Sequence, residues 1–342
     1  IMSGIKYKDE FNVERIKGYK SKIEKSGWNS AVWGLFDRAF QLYKVNLFII
    51  FSLLFIRKFP IFNPHYVMTF YDRVNNKVFN LFPDPNTDFI TILTQVLTLK
   101  VGPHQTQILG LYVFLLMFSP IVLFFMKNGR TKIILTISWI LYFINTSAKM
   151  RVTGAQFEHA FPLLTWQLIY CHGMAAGYHR DKLQALMETK YKKPILYTAL
   201  FLFLCFMFWA QNTSNPNLPS WSRLSLVPPE FYSSIYVKYF QKNTLGLLRL
   251  VNYAVFLTTA FWFLTKYWEK ANKWAGWFFI PIGQATLYVF IVHVYAVMIV
   301  SNFIPFSFDT NHLISNTIAH SVILFGLWLM VKNKMLYPWI PR

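Results

Sequence analysis

Eight long apolar stretches, separated by loops that alternate between strongly and weakly basic, most constrain what this chain can fold into. Several approach the ~20 residues that an α-helix needs to cross a hydrocarbon core ~30 Å thick. Because no water is available there to bond the backbone N–H and C=O groups, only helices and closed β-barrels can cross the core. The apolar stretches do not alternate between apolar and polar residues as the strands of a barrel do, so a barrel is not expected. The sequence therefore predicts an all-α, polytopic transmembrane bundle of about eight spans. The stretches are Tyr43–Phe62, Gln107–Met126, Lys132–Thr146, Phe161–Tyr178, Pro194–Ala210, Leu247–Thr265, Phe278–Ile304 and Leu313–Val331.

Composition agrees with a chain that lies in a lipid bilayer. Hydrophobic residues make up 55% of it and charged residues 14%, whereas soluble domains are about 25% charged. A net charge of +20 is also typical of proteins that bind nucleic acid. However, the basic residues lie in alternate loops and form no continuous face, so we expect no nucleic-acid partner.

The distribution of Lys and Arg among the loops predicts the side that each loop faces. If successive loops are assigned alternately to the two sides of the membrane, 22 of these residues lie on one side and 11 on the other, with Lys44 at the edge of a span. Positive loops stay in the cytoplasm, so both termini of this chain are predicted to be cytoplasmic. The basic side comprises the N-terminal residues through Arg38, then Lys127–Lys132, Arg180–Lys193, Lys266–Lys273 and Lys332–Arg342.

Residues 1–342 are predicted to form one membrane domain. Residues 1–42 are a cytoplasmic or interfacial segment, and residues 43–333 are the bundle, with outer loops at 63–106 and 211–246. In the first outer loop, Tyr66–Phe82 and Phe89–Leu99 are compatible with helices, and the prolines at 83 and 85 between them predict a turn.

The sequence holds no motif for a bound cofactor. CxxC, HExxH and Gly-rich phosphate loops do not occur in it, and no Ser/His/Asp constellation can be assembled by spacing. Cys171 and Cys205 both lie inside apolar stretches and are expected to be small buried hydrophobes. We therefore expect neither a metal nor a bound cofactor.

Polar residues inside apolar spans are costly and mark sites or pathways, so they are the candidate functional residues. His293 lies near the middle of its stretch and is either hydrogen-bonded to a neighbouring helix or an acid/base group. Arg249 opens the sixth stretch, where it either snorkels to the interface or clamps a carboxylate or phosphate.

Three further polar positions are candidates for substrate binding. Trp166 and Gln167 either belong to the packing between helices or line a cavity, and His104 stands at the outer mouth of the second stretch, where loop polarity also explains it. Gly173 and Gly177, four residues apart, predict a face on which two helices approach closely.

Six segments that occur in order along the chain are informative when taken together. They are residues 37–43, 108–112 with Ser119 and Pro120, 127–130, 162–168 with Gly173, 242–250 and 283–293. In this order they resemble the OpgC family of multi-pass acyltransferases, which are associated with succinylation of osmoregulated periplasmic glucans. That family is similar to the broader acyltransferase 3 membrane enzymes. Asn46 stands where the family often has His, and Gln107 and Gly110 replace an expected Asp and Pro.

The resemblance implies transfer of an acyl group, succinyl-like, to a periplasmic glucan or other carbohydrate at a bacterial inner membrane. It implies acyl-CoA or a similar donor as co-substrate, and an Arg and a His of an earlier helix as the best candidates for catalysis. Within this chain, His293 and Arg249 are the predicted catalytic residues, because they are polar positions in apolar spans. The basic loop Arg180–Lys193 attracts such an anionic donor, although the rule for positive loops also explains its charge. The resemblance further implies about ten spans in the complete protein, with earlier helices that this chain lacks.

Two other functions remain open at this point. A transporter or flippase for a lipid-linked sugar would move its substrate without acyl transfer. A non-catalytic membrane component would agree with Asn46 and Gln107, where the chain departs from the family pattern.

Overall fold

The computed structural model describes residues 19–59, 63–72, 77–212, 220–303 and 313–341. These residues are mostly helical, with one short pair of strands, which confirms the predicted all-α class. The helices are α1 (Tyr19–Ile56), α2 (His65–Met68), α3 (Phe89–Leu97), α4 (Gln107–Lys127), α5 (Thr131–Ala148), α6 (Leu163–Tyr178), α7 (Arg180–Leu186), α8 (Lys192–Gln211), α9 (Pro229–Ile235), α10 (Leu247–Lys266), α11 (Trp268–Ala271), α12 (Trp277–Gln284), α13 (Thr286–Phe303) and α14 (Leu313–Lys332), and the strands are β1 (Thr69–Asp72) and β2 (Lys77–Asn80).

Six of the described helices are long and apolar enough to cross a membrane, which confirms a polytopic protein. The two other predicted stretches form α5 and α6, helices of 18 and 16 residues. At 1.5 Å per residue α6 is about 24 Å long, less than the ~30 Å core. The six are Ile23–Ile56, His104–Lys127, Lys192–Gln211, Leu247–Lys266, Thr286–Phe303 and Ile314–Lys332.

Helix α1 begins well before the predicted first stretch, at Tyr19 rather than Tyr43. Its early part has a buried face of its own, because Ala31, Leu35 and Ala39 recur every four residues and are at most 1% exposed. Within this helix, Gly27 has a non-helical backbone with φ of 81°, which glycine adopts without steric cost.

The described residues form two compact units. The first comprises the described parts of Ile1–Lys44, Ile108–Phe203 and Val237–Val255. The second comprises those of Val45–Gln107, Leu204–Tyr236 and Phe256–Arg342. The core of the first unit lies among α4, α5 and α6, where Val122, Met126, Ile134, Cys171 and Ala175 are buried together.

In the loop predicted to face outwards, Tyr66–Phe82 is compatible with a helix by sequence, but the structure is not helical over most of the described part of that range. After the short helix α2, strands β1 and β2 pair antiparallel with Thr69 opposite Asn80 and Phe70 opposite Phe79. Aromatic and β-branched side chains favour this pairing. The predicted helix at Phe89 is confirmed as α3, and the predicted turn is present, with the N–H of Thr87 bonded to the carbonyl of Asp84.

The predicted stretch Phe278–Ile304 is two helices, α12 and α13, rather than one. The chain leaves helical geometry at Ala285, with φ of −106° and ψ of 36°. The Ala285 N–H bonds back to Pro281 and Ile282, and the Thr286 hydroxyl donates to the Gly283 carbonyl at 2.6 Å. These short-range bonds close the end of α12 and begin α13.

Two packing predictions are wrong. An added Cβ at Gly173 or Gly177 would meet no atom within 4 Å among the described residues, so no described helix approaches that face closely. Cys205 is exposed, whereas Cys171 is buried as predicted.

Candidate functional site

The candidate site of the first unit is built around a corner before α10. Tyr142 of α5, Leu168 of α6 and Leu245 are each at most 2% exposed and form one buried cluster. The Tyr142 hydroxyl donates to the Leu245 carbonyl at 2.8 Å. Gly246 follows, where an added Cβ would lie 2.1 Å from the Tyr239 carbonyl oxygen. Glycine is therefore required for this close approach, which sets the start of α10.

Arg249 lies in the first turn of α10 and is half-buried. Its Nε donates to the Phe240 carbonyl at 2.5 Å, and Nη1 donates to the Tyr253 hydroxyl at 3.4 Å. The guanidinium also lies 6.0 Å from the centroid of the Tyr253 ring. The Phe240 carbonyl and the Tyr253 hydroxyl thus hold Arg249 in place. They use two of the five N–H donors that a guanidinium has.

Trp166 packs against the same buried cluster, as Tyr253 does. Its ring meets that of Phe161 edge-on at 4.8 Å, and the Lys242 ammonium lies 5.0 Å from the Phe161 centroid. The indole N–H of Trp166 is buried and has no hydrogen-bond partner in the described part of the chain. A buried donor without a partner costs about 1–3 kcal/mol.

We call Phe161, Trp166, Lys242, Arg249 and Tyr253 the aromatic–basic cluster. It combines aromatic faces, two cations and an unpaired indole donor within one unit. Aromatic faces with a polar edge suit amphipathic ligands, and a guanidinium fork suits a carboxylate. Two of the sequence-predicted residues thus border the same buried cluster, Trp166 directly and Arg249 through its contact with Tyr253.

Gln167, the third predicted residue of this unit, is occupied in joining α5 to α6. Its Nε2 donates to the carbonyls of Ser138 and Leu164 at 2.8 and 3.0 Å, and its Oε1 accepts from the Ser138 hydroxyl at 2.7 Å. Two residues earlier on α6, the Thr165 hydroxyl accepts a hydrogen bond from the Asn145 side chain of α5 at 2.6 Å. A role of Gln167 in substrate binding stays a prediction.

Sequence reasoning missed Glu158, which organises the loop before α6. Its side chain is 1% exposed and accepts from the N–H and hydroxyl of Thr153 and from the N–H of Leu163. Burial of the neighbouring His159 imidazole lowers its pKa, Arg151 lowers it further, and the Glu158 carboxylate opposes the shift. The sequence offered a signal: a carboxylate shortly before a helix start satisfies the free N–H groups there.

His293 belongs to the second unit. It is half-buried in α13. His320 is exposed and bonds the Asn316 carbonyl at 2.6 Å. A role of His293 as an acid/base group stays a prediction.

His104 also belongs to the second unit. Its ring lies 4.6 Å from that of Phe70 on β1, so the hairpin helps to hold it. The described residues contain no group of three or more His, Cys, Asp and Glu that could hold a metal ion.

No curated protein and no solved structure matches this chain. The family described as OpgC protein matches residues 16–339, which is nearly the whole sequence. The protein therefore belongs to the OpgC family.

Proposed function

We propose that this protein is a membrane O-acyltransferase that transfers a succinyl-like acyl group to a periplasmic glucan or other carbohydrate. The observation that carries the proposal is the OpgC match over residues 16–339, which indicates a glucan-modifying, acyltransferase-like role in a membrane. The asymmetry of 22 against 11 basic residues supports a bacterial inner membrane as its location, with both termini of this chain in the cytoplasm.

The reaction needs a base, an activated donor and stabilisation of an oxyanion. A base takes the proton of a sugar hydroxyl while the hydroxyl oxygen bonds to the acyl carbonyl carbon. The tetrahedral oxyanion then collapses, the bond to the donor's sulfur breaks, and the thiolate of an acyl-CoA or similar donor takes up the proton.

We assign the role of base to His293, because an imidazole exchanges a proton near neutral pH. We assign Arg249 to the carboxylate of the succinyl group, because its guanidinium pairs with a carboxylate through two parallel bonds. Trp166, Gln167 and His104 are assigned to the acceptor. The unpaired indole N–H of Trp166 supports this assignment, since a sugar hydroxyl would satisfy it.

The test is transfer from a labelled succinyl thioester to a glucan by the full-length protein in membranes, with the ester detected by mass spectrometry. His293→Gln should lower kcat by about 10²–10⁴, the usual range for loss of a general base. Arg249→Lys should lose most activity as well. His172→Gln is the matched control, because His172 also lies in an apolar helix and bonds a backbone carbonyl of its own helix.

Other outcomes separate the alternatives. Movement of a lipid-linked sugar across vesicles without ester formation would replace the proposal with a transporter. Full activity of His293→Gln would end the assignment of the base.

A further inference from the structure

The second unit contains a cavity of about 180 Å³ where α1 ends and the first outer loop begins. Drug-sized ligands use larger pockets of roughly 300–1,000 Å³. This cavity therefore suits one small polar unit. Its polar lining residues are Arg57, Asn63, His65, Thr69, Asn80 and Asp84.

Long-range contacts hold the walls of the cavity in place. The Asn302 side chain of α13 accepts from the Asn63 N–H at 2.8 Å and donates to the Asn63 carbonyl at 3.2 Å. Arg57 donates to the Pro83 carbonyl at 2.9 Å, and Thr69 stands opposite Asn80 in the hairpin. A ligand would enter a preformed site and would not have to order these segments.

The polar groups of the lining are largely uncommitted. One of the five Arg57 donors is used on Pro83. The side chains of His65, Asn80 and Asp84 make no hydrogen bond within the described residues. The cavity thus offers several donors together with carboxylate and amide acceptors.

The remaining lining residues are apolar, and the two charged side chains of the lining have opposite signs. Met68 and Phe82 are each 7% exposed and supply an apolar wall. The guanidinium of Arg57 and the carboxylate of Asp84 give one positive and one negative charge. A site for phosphate or a carboxylate would carry an excess of positive charge. A neutral pyranose instead presents an apolar C–H face and hydroxyls that both donate and accept.

We propose that this cavity is a subsite that binds one saccharide residue of the acceptor. The proposal rests on the proposed function for the identity of the acceptor, a glucan, but its binding chemistry stands on the cavity alone. Arg57 donates hydrogen bonds to hydroxyl oxygens, the Asp84 carboxylate accepts hydrogen bonds from hydroxyl groups, and the C–H face of the pyranose lies against the apolar wall that includes Met68 and Phe82.

The test is binding of a short neutral glucose oligosaccharide to the full-length protein in nanodiscs, measured by calorimetry without an acyl donor. Arg57→Gln and Asp84→Asn should each raise Kd by about tenfold, as expected for loss of a hydrogen bond to a charged group. The matched controls are Lys58→Gln and Glu230→Gln, which change exposed charges of the same unit outside the cavity. They should leave Kd within about twofold, below the effect of one lost charged bond.

A third variant distinguishes loss of a ligand contact from misfolding, because Arg57 also forms a hydrogen bond to the Pro83 carbonyl. Asn80→Ala should weaken binding without touching that bond, and thermal unfolding of each variant checks the fold. An unchanged Kd in Asp84→Asn and Asn80→Ala would overturn the subsite. Binding of succinate or inorganic phosphate that depends on Arg57, with no binding of the oligosaccharide, would also overturn it.

Acyl-transfer assays of the same variants distinguish this inference from the proposed function. We expect the KM for the acceptor to rise while kcat is retained. Transfer with an unchanged acceptor KM would end the subsite and keep the function. Saccharide binding that depends on Arg57 and Asp84, without any transfer by the wild type, would keep the subsite and end the function.

Discussion

The hydroxyl of Tyr142 donates a hydrogen bond of 2.8 Å to the backbone carbonyl of Leu245, 103 residues later in the chain. It ties the middle of α5 to the corner that precedes α10. Leu245 itself has a left-handed backbone, with φ of 47°, a conformation that costs a non-glycine residue free energy. The position of Arg249, four residues further on, depends on this corner.

Replacing Tyr142 with Phe should therefore lower the free energy of unfolding by about 0.5–1.5 kcal/mol, the net value of one hydrogen bond. Thermal unfolding in detergent measures the change. Tyr112→Phe is the matched control, because Tyr112 is 43% exposed and has no hydroxyl bond within the described residues. Equal shifts in the two variants would contradict a stabilising role for the Tyr142 bond.

Gly246→Ala should destabilise the same corner more strongly. Its Cβ would lie 2.1 Å from the Tyr239 carbonyl oxygen, so the backbone that presents the Phe240 carbonyl to Arg249 must move. Overpacking of this kind costs about 1–3 kcal/mol or more. Gly173→Ala in α6, where the space is open, should instead raise stability by up to about 1 kcal/mol. An unfolding midpoint for Gly246→Ala at or above that of the wild type would show that the corner tolerates a side chain.

Stability should fall as the pH drops through about 6.5, the ordinary pKa of histidine, towards the lowered pKa of His159. The folded state favours the neutral imidazole, mainly because of burial and then because of Arg151. The unfolded state therefore binds a proton first, and protonation favours unfolding. The effect should be small, since His159 is exposed on one side and solvent screens it. His159→Gln should show a flatter dependence of unfolding on pH in that window, and identical profiles would refute the assignment.

Cysteine labelling tests the predicted sidedness. In a background with Cys205→Ser, which removes the exposed native thiol, a cysteine at Asn86 should react with an impermeant reagent outside intact cells. A cysteine at Asn128 should react after lysis, because its loop belongs to the basic, cytoplasmic side. Both positions are exposed, so accessibility is matched. Labelling of position 128 in intact cells would reverse the topology.

The helical spans could be predicted from sequence because their cause is local. The predicted stretch Leu247–Thr265 matches α10 at Leu247–Lys266, and Pro194–Ala210 matches α8 at Lys192–Gln211. A run of apolar residues in lipid must satisfy its own backbone groups, and a helix does so within the run. Trp166 and Arg249 could be selected as candidates for the same reason, since a polar group inside such a run is visible in the sequence.

Tertiary structure decided the features that depend on partners distant in the chain. Tyr142 meets Leu245, and Asn302 meets Asn63 across 239 residues. The hairpin of β1 and β2 replaced a predicted helix because side chains and backbone on two strands satisfy each other. The cavity at Arg57 exists because the end of α1, the hairpin and the turn at Pro83 converge there. The sequence shows which polar groups need a hydrogen-bond partner. The packing of the folded chain determines which distant group is that partner.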